Sequence, residues 1–215
     1  MRWIGITLAA GVLVFCGCKK DENSVEVKRA NLDEPLPVEQ VKVDWPELEG
    51  RVGKDVELQG QVKAFIAERM SGEGDVSIEQ AVKRAYARVN DPNNAGIARR
   101  DALALLIDLD VSPLLREELL HEHIAIVGRV TTALADKTKR GVKDKQAIPY
   151  LIHALKKYRD MPGSGTTGLC VRLGEAIKAI ADIDVEVAKW GGGLDEVVSQ
   201  AKEWAKKNGI KLLDE

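Results

Sequence analysis

The chain has 215 residues, 32 basic against 34 acidic side chains, and a formal net charge of −2. That balance lacks the strongly basic footprint of a nucleic-acid binder, and an aromatic content of 4% argues against a surface that stacks on bases or sugars. The hydrophobic content is carried mainly by Ala, Leu, Ile and Val, which suits packed helices, and the length suffices for one domain with a substantial core.

Residues 1–20 read MRWIGITLAAGVLVFCGCKK. Arg2 precedes an apolar run from Trp3 to Phe15, shorter than the roughly 20 residues a membrane-spanning helix needs. A basic start and a short apolar run are the features of a secretory signal. Phe15-Cys16-Gly17-Cys18 then resembles the lipobox of bacterial lipoproteins. The resemblance implies cleavage after Gly17 and acylation of Cys18, with palmitate-type chains in the membrane. Phe15 stands where that family usually has Leu, and it would occupy the cleavage position if Cys16 were the modified residue. Several acyl chains hold a protein stably where one does not. The implied location is the cell membrane or the outer membrane, with the folded part in the periplasm or outside the cell. Lys19 is not the aspartate associated with inner-membrane retention, which leans towards the outer membrane in a two-membrane host. The alternative is a hydrophobic N-terminal helix in a cytosolic chain. With Cys16 removed and Cys18 acylated, Cys170 has no disulfide partner and reads as a buried small hydrophobe.

Residues 18–44 then form the lipidated cysteine and a charged tether with two prolines and no sustained apolar period, too polar to fold alone. A flexible chain of this length averages roughly 28 Å end to end. Asp44-Trp45-Pro46 marks a transition. Over residues 45–70 a short extended, β-like segment is expected, centred on residues 52–66, because Val56, Leu58 and Val62 alternate with polar residues. Its wording resembles the first strand of an oligonucleotide-binding barrel, but too little strand-like sequence follows to complete one.

Residues 71–215 read as a helical domain. Ser71–Gly74 is a loop, and Ser77 with Gln80 makes a capping box. Ile78, Val82, Ala85, Tyr86 and Val89 share a face, and Asn90-Asp91-Pro92 ends that helix. The next helix buries Ala98, Ala102, Leu105, Leu106 and Leu109, with Leu103 and Ile107 on a neighbouring face. Ser112-Pro113 opens another. From Leu114 to Ala135 the spacing fits two helices or one kinked helix; the alternative is a strand at Ile124–Val130 paired with Val56–Val62. Asp136–Lys145 is a lysine-rich loop. Ile148, Leu151, Ile152 and Leu155 mark a helix with Pro149 in its first turn. Leu169, Leu173, Ala176, Ile177 and Ile180 mark the next, and Leu194, Val197, Val198, Ala201, Trp204 and Ala205 the last, with Gly209 at its end.

Ala147-Ile148-Pro149-x-Leu151-Ile152-x-Ala154-Leu155 and Val171-Arg172-x-x-x-Ala176-x-x-Ala179-Ile180 resemble the two helices of a HEAT repeat of the phycobilisome-lyase type. Arg100-x-x-x-Ala104 and Arg129-x-x-x-Ala133 echo Arg172-x-x-x-Ala176. The expected fold is therefore mainly α: a HEAT-like α-solenoid or helical bundle of about six to seven helices. In such folds no pair buries its apolar face alone, and neighbours stack into one core.

Candidate chemistry is sparse. His121-Glu122-His123 is the one metal-like cluster, but on a helix residues two apart point to opposite sides, and the H-E-x-x-H spacing is missing. Gly163–Gly168 lacks the lysine of a phosphate loop; Thr166, Thr167 and Gly168 are candidates for an anion at a helix start, with Thr167 as N-cap. Lys137, Lys139, Arg140, Lys143 and Lys145 form a basic loop that would suit anionic lipid or cell-wall polymer, or simply solvent. No nucleophile has a recognisable catalytic context. The reading is a non-enzymatic, lipid-anchored scaffold for an unknown envelope protein, with no cofactor, no nucleic acid and no small-molecule substrate. The alternative is a small envelope enzyme or ligand- or metal-binding protein using the His121–His123 region.

Overall fold

The computed structural model describes residues 31–70, 76–161 and 163–214. The expected signal sequence, Cys18 and the loop expected at Ser71–Gly74 lie outside the described residues. Within them the fold is mainly helical: α1 (Trp45–Val52), α2 (Val56–Arg69), α3 (Ile78–Asn90), α4 (Gly96–Asp108), α5 (Ser112–Glu118), α6 (Ile124–Lys139), α7 (Ile148–Arg159), α8 (Ser164–Ala181) and α9 (Leu194–Lys207), with short 3-10 turns at Val38–Gln40 and Lys145–Ala147. These are nine α-helices among the described residues, against the six to seven expected.

The difference comes largely from residues 45–70, which are helical rather than β-like. Asp44 caps α1 by accepting the Glu47 N–H at 2.9 Å. Asp55 caps α2 by accepting the N–H groups of Glu57 and Leu58 at 2.9 and 3.1 Å, the arrangement that favours Asp at this position. Val56, central to the alternating reading, is 82% exposed. The buried side of α2 is Val62 and Phe65, flanked by partly buried Leu58 and Ile66, a helical spacing. The apparent period of two arose because Leu58 and Val62 are also four apart.

The remaining helices follow their caps and faces. In α3, Ser77 and Gln80 complete the capping box at 3.2 and 3.0 Å, and Ala81, Val82, Ala85, Tyr86 and Val89 are buried. The stretch from Leu114 to Ala135 is two helices, so neither it nor Val56–Val62 supplies a strand. Val111, not Ser112, caps α5; Ser112 donates its hydroxyl to Asp110 instead. The lysine-rich loop is shorter than expected because α6 runs on to Lys139. The glycine-rich run at Gly163–Gly168 is not a loop either: α8 begins at Ser164, so Thr167 lies inside the helix rather than capping it.

Short connections at 91–95, 119–123 and 160–163 pair α3 with α4, α5 with α6 and α7 with α8. The second members then pack in a row, α4 on α6 and α6 on α8, and α9 closes the end against α7 and α8. The α8–α9 contact is close at Gly174, where a β-carbon would stand 2.5 Å from Leu194 Cδ2. Gly193 turns the chain into α9 with a φ of +84°, and a β-carbon there would strike the Glu186 carbonyl oxygen. One hydrophobic cluster runs from Val38 to Leu212. Cys170 lies within it, and burial pushes its thiol pKa up, which suits an inert side chain.

The tether expected over residues 18–44 is seated on this body from Asn31 onward. Leu36 is held at both backbone atoms: its N–H donates to Glu117 Oε2 at 3.1 Å, and its carbonyl accepts from the Tyr86 hydroxyl at 2.7 Å. Asp33 meets His153 Nε2 at 3.0 Å, and Lys157 donates to the Asp33 and Leu120 carbonyls at 3.0 and 3.1 Å. Val38 is buried. A polar segment too weak to fold alone is thus ordered by partners on α3, α5 and α7.

Candidate functional site

Because α4, α6 and α8 pack side by side, residues at equivalent places on each come to one surface. Arg100, Arg129 and Arg172, all exposed, are those residues. They line a groove made of two cavities. The first, about 760 Å³, is bounded by Arg129, Arg172, Gly128, His123, Glu122 and Asp136. The second, about 330 Å³, lies between α4 and α6 and is bounded by Arg99, Arg100, Leu103, His123 and Arg129 among others. His123, Ala125 and Arg129 belong to both walls, so the cavities adjoin along α6. Gly128 admits Arg172 closely: a β-carbon there would touch Nη2 at 3.4 Å.

Several cations elsewhere are paired. Arg116 meets Asp144 at 2.9 Å, Lys137 meets Asp110 at 2.8 Å and Lys156 meets Asp214 at 2.7 Å. By contrast, Arg99, Arg100, Arg129 and Arg172 make no hydrogen bond and no close ion pair among the described residues. Asp108 senses Arg129 at longer range; burial pushes its carboxyl pKa up, and the arginine pulls it back. The groove therefore carries unneutralised guanidinium groups on a chain whose total charge is close to zero, with Glu122 and Asp136 confined to the α6–α8 end.

The basic loop does not share this property. Lys137 bonds Asp110 and Ser112, Lys139 pairs with Asp136, Lys143 pairs with Asp182, and Lys145 sits 5.9 Å from the Trp204 ring centre. Lys137 and Lys143 thereby tie α6 and the loop after it to the α4–α5 turn and the end of α8.

His121 and His123 come together. They occupy the α5–α6 connection, with ring centres 5.6 Å apart and stacked. His121 is buried, and its Nδ1 accepts the backbone N–H of His123 at 2.9 Å. His123 is the exposed N-cap residue of α6. Among the described residues no group of three or more His, Cys, Asp or Glu side chains could hold a metal ion. At the start of α8, Thr166 donates its hydroxyl to the Gly163 and Met161 carbonyls, while Thr167 and Gly168 are exposed. No basic side chain occurs in residues 163–168.

Sequence reasoning singled out Arg100, Arg129 and Arg172 as repeat markers, not as a site. It missed Arg99, Glu117 and Glu118, all buried. Charged residues on a helix read as solvated unless their neighbours are known. Comparison with known proteins finds no matching family model, no matching curated protein and no matching solved structure, so the groove is read from its own chemistry.

Proposed function

We propose that this chain is a membrane-anchored lipoprotein whose helical body is a HEAT-like α-solenoid serving as a protein–protein interaction scaffold in the cell envelope. Acylated Cys18 is its anchor, in the cell membrane or the outer membrane. The groove along α4, α6 and α8 is its working surface, and its partner presents acidic groups there. The observation that carries the groove is the row Arg100–Arg129–Arg172, one arginine from each stacked pair, without close carboxylate partners among the described residues. Exposed guanidinium groups are well suited to carboxylates because their planar fork matches them in two-point contacts. Repeat folds characteristically bind partners along an extended surface built from successive repeats. Because the segment from Asn31 is docked across α3, α5 and α7, the reach of the body from the bilayer is set by the length of chain between Cys18 and Asn31.

Affinity capture of the full chain from intact membranes tests both parts. Cys18→Ser is expected to abolish acyl labelling and membrane retention; unchanged labelling rejects Cys18 as the anchor. Arg129→Glu with Arg172→Glu is expected to keep retention but lose the captured protein. An identical captured set rejects the groove.

A further inference from the structure

The α4–α6 end of the groove differs from the rest in one respect: its central cation is buried. Arg99 is 6% exposed, lines the 330 Å³ cavity, and its Nε has no hydrogen-bond partner among the described residues. Removing an arginine from water without a counter-charge is strongly unfavourable. An unpartnered buried donor on a cavity wall is a place where a ligand can complete the bonding. Arg100, Arg129 and His123 face the same space, no carboxylate lines it, and Asn94 adds a neutral amide.

Two helix starts reinforce the charge. α4 and α6 are 13 and 16 residues long, and both begin at this cavity, since Gly96 and His123 are among its walls. Neither has a side-chain cap or an acidic residue in its first turn. Their first-turn N–H groups and dipoles favour an anion at this point. Buried Leu103 and Ile126 form an apolar wall opposite. The volume lies near the lower end of small-molecule sites, which start at about 300 Å³.

We infer that this cavity is a binding site for a phosphate monoester, with Arg99 as its buried anchor and Arg100 and Arg129 closing over the phosphate from the rim. Several guanidinium groups and two helix starts favour a doubly charged group over a singly charged carboxylate. The remaining volume takes a small organic body against Leu103 and Ile126. This goes beyond the scaffold reading, because the site requires neither an acyl anchor nor a protein partner. Two sources share the chemistry: a soluble phosphate monoester and the headgroup of phosphatidic acid.

The test uses the full chain carrying Cys18→Ser, so that acylation cannot contribute. Calorimetric titration at about 0.15 M salt, where exposed charges are largely screened, compares glycerol 3-phosphate with acetate. A second arm measures sedimentation with phosphatidylcholine vesicles, with and without phosphatidic acid. Saturable binding in either arm, with acetate inactive, supports the site and identifies its source. Arg99→Met, which keeps length and removes charge, is expected to weaken binding roughly tenfold or more while raising the thermal midpoint. Arg129→Ala, at an exposed position, is expected to weaken binding with the midpoint unchanged, and it serves if Arg99→Met does not fold. No binding in either arm, acetate equal to glycerol 3-phosphate, or undiminished binding by Arg129→Ala and a folded Arg99→Met overturns the assignment. None of these results depends on whether Cys18 is acylated.

Discussion

Glu118 is fully enclosed, with Asn90 Nδ2 donating to its Oε1 at 2.7 Å and no partner on Oε2 among the described residues. Burial pushes its pKa up from 4.5 to about 8, aided by the neighbouring Glu117 and opposed by Asn90. The nearby His121 is displaced the other way, from 6.5 down to about 4, mainly by burial and then by His123 and Arg99. Between pH 4.5 and 8 the folded chain holds a Glu118 proton that the unfolded chain has lost, so this group makes stability fall as pH rises. Between pH 4 and 6.5 the unfolded chain binds a His121 proton that the folded chain excludes, so His121 makes stability rise with pH. The two oppose each other up to pH 6.5, and Glu118 acts alone above it. From pH 6.5 to 8 the wild type is expected to lose up to about 2 kcal/mol through Glu118, at about 1.4 kcal/mol per pH unit. Glu118→Gln keeps the bond from Asn90 and removes the charge. Urea titrations should find the variant flat over that interval yet still weakened below pH 6.5. A variant profile parallel to wild type would remove Glu118 as the cause.

At the scale of elements, the docked segment shows how local weakness is overcome. Residues 31–44 show no sustained apolar period; buried Val38, partly buried Val41 and Val43, and the two bonds at Leu36 secure them. Tyr86→Phe removes the hydroxyl that reaches the Leu36 carbonyl, at a cost of about 1 kcal/mol. Amide exchange around Leu36 and Val38 should accelerate while α7 and α8 stay protected; uniform acceleration would mean Tyr86 supports the whole core instead. The α2 misreading belongs to the same scale. Alternation at Val56, Leu58 and Val62 fits a strand over a few residues, whereas Asp55 as cap and the continuation to Phe65 and Ile66 fit only a helix. Helices α3 and α9 were legible because caps, faces and stops agree there; α2 was not, because its signals conflict over the same short window.

At the scale of the molecule, one apolar cluster spans Val38 to Leu212, so no helix pair has a core of its own. Leu173 on α8 is fully buried within it. Leu173→Ala is expected to cost about 2–5 kcal/mol and to move one transition seen alike by far- and near-ultraviolet circular dichroism. Two separated transitions would mean that neighbouring pairs unfold independently, as loosely coupled repeats do.

Helical class, most helix starts and stops, and the recurrence of arginine before alanine are all properties of short windows, and they were present in the amino-acid order. Caps act over about three residues and helical faces over about four, so they need no knowledge of distant chain. Which helices become neighbours is a long-range matter. Only the stacking of α4, α6 and α8 turns three scattered arginines into one groove. Arg99 precedes Arg100 by one residue, about 100° around the helix; that step carries it from the exposed rim to the buried wall. Glu118 and His121 likewise read as surface residues until α3 and the segment from Asn31 cover them. Burial of charge is decided by what packs against a helix, and that is set by the whole core rather than by the helix itself.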